Sequence, residues 1–414
     1  MIIKTDDLRQ PMQNSTLTSL IYDARYRGYF FQVLILFLLA FGMWWLVDNT
    51  VTNLADRGKS VGFGFLTAAA GFQISDTLGT WVMDYNVGDS TYLDVYFIGI
   101  INTFLVAILG IIGATFIGFS VGIMRLSRNF VVRSFATVYI ELLRNIPLLL
   151  QLFFWYFAVL RALPSKREKI DIIPDVIGVN ITGLYLPAPL PHSGFIYSVI
   201  AFVVAVGITL AMKRWAENRQ AETGQRFPVL WTSVAVIAGF TLITFLATGS
   251  PLEWTFPEFK IDGPILRRGF QSGSGMVLVP EMMAVWLALT LYTAAFIAEI
   301  VRAGILAIAK GQTEAAYSIG MRPGMTLRLI IIPQALRVII PPLTSQYLNL
   351  TKNSSLAVAI AYPELVSVFA GTALNQVGKE IEMIFMMMMV YLTFSLLTAA
   401  FMNWFNSRVK LVER

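Results

Sequence analysis

Lys310–Arg328 reads KGQTEAAYSIGMRPGMTLR, a polar stretch set between two apolar runs, Glu281–Ala309 before it and Ala335–Lys352 after it. It carries Lys310, Gln312, Thr313, Glu314, Ser318, Arg322, Thr326 and Arg328, and a charged side chain at the centre of a membrane helix costs about 2.5–3.5 kcal/mol. The stretch therefore stays out of hydrocarbon while its flanks enter it. Gly311 opens it, Gly320 interrupts it and Pro323-Gly324 predicts a turn, which leaves a helix of about two or three turns lying at a membrane face. Glu314, near the N-terminus of that helix, suits its dipole. Ala315 and Ala316 give it a small-residue face that another protein surface can approach closely. A second stretch, Thr326–Ile332, leads through Pro333 into the next apolar run. Two readings fit these residues: an ordinary amphipathic connector, or a rigid knob that passes a push from a soluble partner to the helices on either side.

Outward from this segment the chain is apolar. Of its 414 residues 56% are hydrophobic and 14% charged, whereas globular domains are nearer half apolar and a quarter charged. A helix needs roughly 20 apolar residues to cross the hydrocarbon core. Tyr29–Val47, Tyr96–Met124, Arg133–Leu160, Phe195–Met212, Pro228–Thr248, Glu281–Ala309, Ala335–Lys352 and Met383–Phe405 meet or approach that length. Leu356–Gly371 and Val61–Phe72 are too short or too rich in glycine to span. Tyr29–Val47 follows Arg25 and Arg27 as a signal peptide would, but it is longer than a signal core, and Trp44-Trp45-Leu46-Val47-Asp48 offers no small-residue cleavage site. It is read as a retained first span. The expected fold is an all-α membrane protein of about eight transmembrane helices.

With both termini placed in the cytoplasm, alternate loops hold 18 Lys and Arg residues on the inner side and 10 on the outer, although the outer loops are longer. That asymmetry is the signature of membrane orientation, so the net charge of +6 is topogenic and implies no nucleic acid. Trp44, Trp45, Trp81, Trp254 and Trp404 near span ends fit an interfacial belt. The absence of cysteine and the lone His192, in the loop-like run Pro189–Gly194, leave no thiolate metal site, no zinc site and no catalytic nucleophile pair. Gly58-Lys59-Ser60 has the ending of a phosphate-binding loop, but the glycine that must precede it falls at Asn53, so no ATP site is expected. Met386–Met389 reads as apolar filler.

Inside the spans, Glu141 with Arg144 and Glu299 with Arg302 stand three residues apart, so each pair can share a helix face. Each is either a pathway contact, with the arginine drawing a substrate carboxylate, or an ion pair that locks helix register. Gln346, Asn349, Lys352 and Asn353, with Thr344, Ser345, Thr351, Ser354 and Ser355, form a polar stretch after Pro341-Pro342 that no lipid-facing helix could carry. It is either an interrupted helix lining a cavity or the outer end of a span with Lys352 reaching the interface. Taken alone, these features suit an ATP-coupled permease, an ion-coupled secondary transporter or, least well, a membrane-embedded enzyme.

The run Glu314-Ala315-Ala316, then Gly320, Ile330 and Ile332-Pro333, resembles the EAA loop of binding-protein-dependent ABC importers, with Ile332 where that family favours Leu. Ala298-Glu299-Ile300-Val301-Arg302-Ala303-Gly304-Ile305, Gly311-Gln312, Pro333-Gln334-Ala335-Leu336-Arg337, Pro341-Pro342-Leu343, Lys352-Asn353-Ser354-Ser355-Leu356 and Glu364-Leu365 follow the order of the polar amino-acid permeases. Ala303 replaces the usual Gly and Asn353 the usual Asp. Glu141–Leu148 is similar to an upstream element of the same family. The resemblance covers 95–160 and 281–414, and 161–280 together with the N-terminal stretch resembles the larger permeases of general L-amino-acid transporters. It implies a type I ABC importer transmembrane domain in a bacterial inner membrane, over residues 95–410, with 1–94 as tail, anchor helix and periplasmic stretch. It further implies 161–280 as an insertion with two extra spans, and 310–333 as the coupling loop. Gln312, Glu314, Ala315, Ala316, Gly320 and Pro333 would then meet a cytoplasmic ATPase that holds ATP and Mg, with no cofactor in this chain. A second permease subunit, a periplasmic amino-acid-binding protein and L-amino acids are the implied partners.

Overall fold

The computed structural model of the chain describes residues 24–56, 62–261, 268–271 and 273–409, and Gly58-Lys59-Ser60 lies outside the described residues. The chain divides into two compact units, Met1–Phe65 and Leu66–Arg414. In the first, α1 (Ala24–Asp56) runs for 33 residues, and its stretch Tyr29–Val47 carries no charged residue, the composition of a helix surrounded by lipid.

In the second unit, α2 (Tyr92–Arg125) starts at a capping box: Thr91 accepts from the Asp94 backbone N–H, and the Asp94 carboxylate accepts from the Thr91 N–H at 2.8 Å. Its partner is α7 (Pro280–Leu306). The two approach closely because Gly113, Gly118 and Gly122 of α2 face Thr290, Ile297 and Val301 of α7, whereas Gly110 faces Leu350; small residues of this kind let membrane helices meet backbone to backbone. A Cβ on Gly118 would stand 2.6 Å from the Ile297 side chain.

Arg133–Leu160, expected as one span, is broken. Here α3 (Phe130–Asn145) and α4 (Leu148–Ala162) meet at 106°. Pro147 forces the preceding Ile146 into extended backbone (ψ 128°). The carbonyls freed at the break are not left bare, because the Gln151 amide donates to Leu143 O at 2.8 Å and Ile146 O at 2.9 Å.

Residues 161–280 depart from the all-α expectation outside their two long helices. β1 (Ile170–Ile173), β2 (Ile177–Asn180), β3 (Gly183–Leu186) and β8 (Met276–Leu278) form an antiparallel sheet in that order. β4 (Ala188–Pro191) pairs with β5 (Leu252–Thr255), and β6 (Phe259–Lys260) with β7 (Gly269–Phe270). The two spans, α5 (Phe195–Thr223) and α6 (Val229–Ala247), pack on each other. Lone His192 follows β4, half exposed and 3.4 Å from Glu253, in accord with a solvated side chain.

After α7 come α8 (Lys310–Ser318) and a long helix, α9 (Pro323–Ile360), whose last turns tighten over Ser354–Ile360. The chain then folds back through Val366–Val377 and ends in α10 (Glu380–Val409). The fold-back is tied to α2 by buried polar groups: the Asn102 amide donates to Pro363 O at 2.8 Å, and the Leu365 N–H donates to Thr103 Oγ1 at 3.1 Å. Such bonds are needed where irregular backbone sits among membrane helices. Among the described residues seven helices are long and apolar enough to span, or eight if α3 and α4 count as one broken span.

Candidate functional site

Three groups of side chains singled out in the sequence can now be placed. The first is α8. Its residues Lys310–Ser318 wind as a helix, and Gly320 ends it in the left-handed conformation, φ +79°. The Gly320 N–H donates to Tyr317 O at 2.9 Å and the Met321 N–H to Ala316 O at 3.1 Å, the paired bonds of a Schellman cap, which favours glycine at this position. The turn therefore lies at Ile319–Arg322, not at Pro323-Gly324, and Pro323 instead occupies the first turn of α9. Glu314 sits mid-helix, beyond the first turn, so the expected dipole contact does not form.

α8 packs on the first turns of α9. Ala316 is 2% exposed and belongs to that internal contact, which removes it from the surface offered to a partner. Ala315, Gln312 and Glu314 are exposed, and the Gln334 amide reaches Gln312 Oε1 at 3.4 Å, fastening α8 to α9. A π-helical turn over Leu327–Ile331 precedes Pro333, which stands in the first turn of the segment Ile332–Asn353. Wide turns of this kind spare a helix the hydrogen bond that proline cannot donate. The exposed side of the α8 region also carries Tyr317, Met325 and Ile319, the last 77% exposed. These apolar side chains were not picked out from the sequence. Their signal was available, because apolar residues inside a solvated polar loop need cover.

The charged pairs form the second group, and Arg125 organises it. This last residue of α2 bonds Glu299 through Nη1 and Glu141 through Nη2, the latter at 3.1 Å. Glu299 is held from its other side by Arg302, with contacts of 2.6 and 3.1 Å. The Glu299–Arg302 pair expected on one helix face is present. The Glu141–Arg144 pair is not: Glu141 turns to Arg125, and Arg144 lies 5.2 Å above the Phe296 ring. Arg302 thus spends its guanidinium on a neighbouring carboxylate. Arg125, Glu141, Glu299 and Arg302 form a lock joining α2, α3 and α7 near the end of α7 that leads to α8.

The third group lies along α9. The helix is not interrupted at Pro341-Pro342. Its hydroxyls are satisfied locally, as when Thr344 bonds Ile340 O at 3.0 Å and Thr351 bonds Tyr347 O at 2.9 Å. Leu343, Tyr347, Leu350 and Thr351 make the buried stripe. On another face the side chains of Gln346, Asn349, Lys352 and Asn353 have no hydrogen-bond or ion-pair partner among the described residues, and Asn349 and Lys352 are exposed. Gln346 stands nine residues past Arg337, about 14 Å along the helix, inside a helix long and apolar enough to cross a membrane.

Comparison with known proteins gives a consistent picture. The family described as "Binding-protein-dependent transport system inner membrane component" matches residues 204–411. The general L-amino acid transport system permease protein AapQ of Rhizobium johnstonii is 48% identical, over 96% of this chain and 95% of that protein. The putative amino-acid ABC transporter permease protein YhdX of Escherichia coli is 48% identical, over 94% and 95%. The glutamate/glutamine/aspartate/asparagine transport system permease protein BztB of Rhodobacter capsulatus is 39% identical, over 98% of each chain. Coverage this complete carries the likeness across 161–280.

Proposed function

The chain belongs to the family of inner membrane components of binding-protein-dependent transport systems, and on that premise we propose that α8 couples an ATPase to a translocation path lined by the polar stripe of α9. The protein is the permease subunit of an amino-acid uptake system of the ABC class, a multi-pass protein of the inner membrane. It is not itself an enzyme, and the ATP-hydrolysing site belongs to a partner. Family membership sets aside the ion-coupled secondary transporter.

One observation carries the proposal. Gln346, Asn349, Lys352 and Asn353 sit on a membrane helix with no side-chain partner among the described residues of their own chain. Facing lipid, each amide would forfeit several kcal/mol of hydrogen bonding. Their cover is a water-filled path, closed on its far side by a second permease subunit. The unpaired Lys352 supplies a cation for the substrate carboxylate, and the three amides supply donors and acceptors. Glu141, Arg144, Glu299 and Arg302 serve helix register, because three of them are spent on Arg125 or on each other and Arg144 on a ring.

At the other end of α9, the exposed part of α8 (Gln312, Glu314, Ala315 and the Gly320 turn) meets the ATPase, and Pro333 with the π-helical turn passes the movement into α9. The excess of Lys and Arg in alternate loops supports a cytoplasmic position for α8. A periplasmic binding protein delivers the amino acid from the opposite side. The test is ATP-dependent uptake by the reconstituted complex carrying Asn349→Leu with Lys352→Met. Assembly is expected to be unchanged while uptake falls at least about tenfold, the effect of losing about 1.4 kcal/mol of binding. Full uptake by that variant would contradict the path.

A further inference from the structure

Where the C-terminal parts of α5 and α10 come together, a cavity of about 470 Å³ is lined by Gly207, Leu210, Ala211, Lys213, Arg214, Glu217 and Arg408. Its lining combines apolar Gly207, Leu210 and Ala211 with basic Lys213, Arg214 and Arg408. Lys213, Arg214 and Arg408 converge from stretches of chain nearly two hundred residues apart, against one carboxylate, Glu217, which lies 4.0 Å from Lys213 on the same helix. Neither Arg214 nor Arg408 has an ion-pair partner among the described residues, and Arg408 stacks 5.6 Å over the Trp404 ring. Tryptophan is a side chain that settles at headgroup depth.

The apolar run of α5 begins at Phe195, so Lys213 comes 18 residues later, about 27 Å along the helix. The cations therefore stand at the edge of the hydrocarbon core, on the side of the membrane that carries α8. The requirement for inward positive charge explains basic residues at these span ends. It does not explain why three of them close on a single hollow whose wall is hydrocarbon.

We propose that this hollow is a binding site for an anionic phospholipid, with the phosphodiester held by Lys213, Arg214 and Arg408 and an acyl chain lying along Gly207, Leu210 and Ala211. Phosphate accepts hydrogen bonds from arginine in pairs and from lysine as a point charge. Basic pockets between membrane helices on the cytoplasmic side suit anionic headgroups for this reason. Gly207, with nothing within 4 Å of the position its Cβ would take, keeps the chain groove open. The site lies on the insertion helix α5 and the last helix α10, so the lipid would bridge the extra hairpin to the transport bundle.

The experiment uses the assembled transporter in phosphatidylcholine nanodiscs with and without phosphatidylglycerol, and counts by native mass spectrometry the phosphatidylglycerol that survives release from the disc. The unaltered complex is expected to keep one such lipid per copy of this chain. Lys213→Gln, Arg214→Gln and Arg408→Gln should each lower retention about fivefold, close to the worth of one basic residue at an anionic surface, and together abolish it. Glu217→Gln, which removes the opposing charge, should raise it. Arg219→Gln, a basic residue of the same segment outside the hollow, should leave it unchanged. Undiminished retention in the triple variant would overturn the site. An equal loss on Arg219→Gln would reduce it to diffuse surface charge. Displacement by inorganic phosphate would assign the cluster to a free anion instead of a lipid.

Discussion

Arg125 faces two carboxylates on two other helices, and that position fixes what its loss does. Its side chain is 17% exposed, against 54% for Glu141 and 25% for Glu299, so the contact with Glu299 is the better shielded and the more valuable. Arg125→Gln should cost about 1.5–3 kcal/mol, the range for hydrogen bonds to charged groups, and lower the thermal midpoint of the solubilised complex. Arg144→Gln should cost about 0.5–1 kcal/mol, the worth of a partly exposed cation over a ring. Equal shifts for the two would contradict the lock. The sequence pointed to Glu299 with Arg302, which are neighbours on one helix, but passed over Arg125, whose partners are 16 and 174 residues away. Gly320 was legible as an interruption, though not as a Schellman cap. Gly320→Ala forces a Cβ into φ +79° at about 1–2 kcal/mol, whereas Gly320→Asn should be milder because Asn tolerates that region. Uptake is expected to fall in the order Gly, Asn, Ala with membrane insertion preserved, and uptake unaffected by Gly320→Ala would show that the turn is not needed for coupling.

Among the elements, α2 and α7 share one buried core with α9, and the α2–α7 seam is its closest helix contact. Gly118→Val would drive two methyls into Ile297, whose side chain already lies 2.6 Å from a Cβ at that site. Overpacking of this kind costs about 1–3 kcal/mol, and a lower yield of folded complex should follow. An unchanged yield and midpoint would mean that the helices meet elsewhere. Gly113, Gly118 and Gly122 make this contact, and glycines clustered within one span were a legible sign of a close helix seam. Hydropathy found the spans because length and apolarity alone decide them. It could not find the break at Ile146-Pro147, since a bend changes no composition, although the proline itself was a marker. The strands of 161–280 were illegible for another reason: they run two to four residues each, too few for alternation to show. α8 was expected as a helix of two or three turns and is one, but Ala316 was assigned outward because an alanine pair carries no signal of which member packs inward.

At the scale of the whole molecule, a stripe of unpaired amides and a lysine on α9, together with apolar side chains exposed around α8, describe a subunit made to be covered on two sides. The composition announced a membrane protein, and the motif order between Glu281 and Leu365 announced its class. The uncovered surfaces needed coordinates, because exposure depends on which neighbours fold against a residue. If α8 grips a separate nucleotide-hydrolysing subunit, the absence of cysteine from this chain makes a direct test simple. Ala315→Cys introduces its only thiol, on the exposed side of α8, and a thiol-to-amine crosslinker can be applied to inside-out vesicles that transport the amino acid. The account predicts a covalent product with the ATPase from Ala315→Cys and little or none from Ala316→Cys, whose position is buried. Failure of Ala315→Cys to reach the ATPase in transporting vesicles, or its labelling only from the opposite face of the membrane, would contradict it.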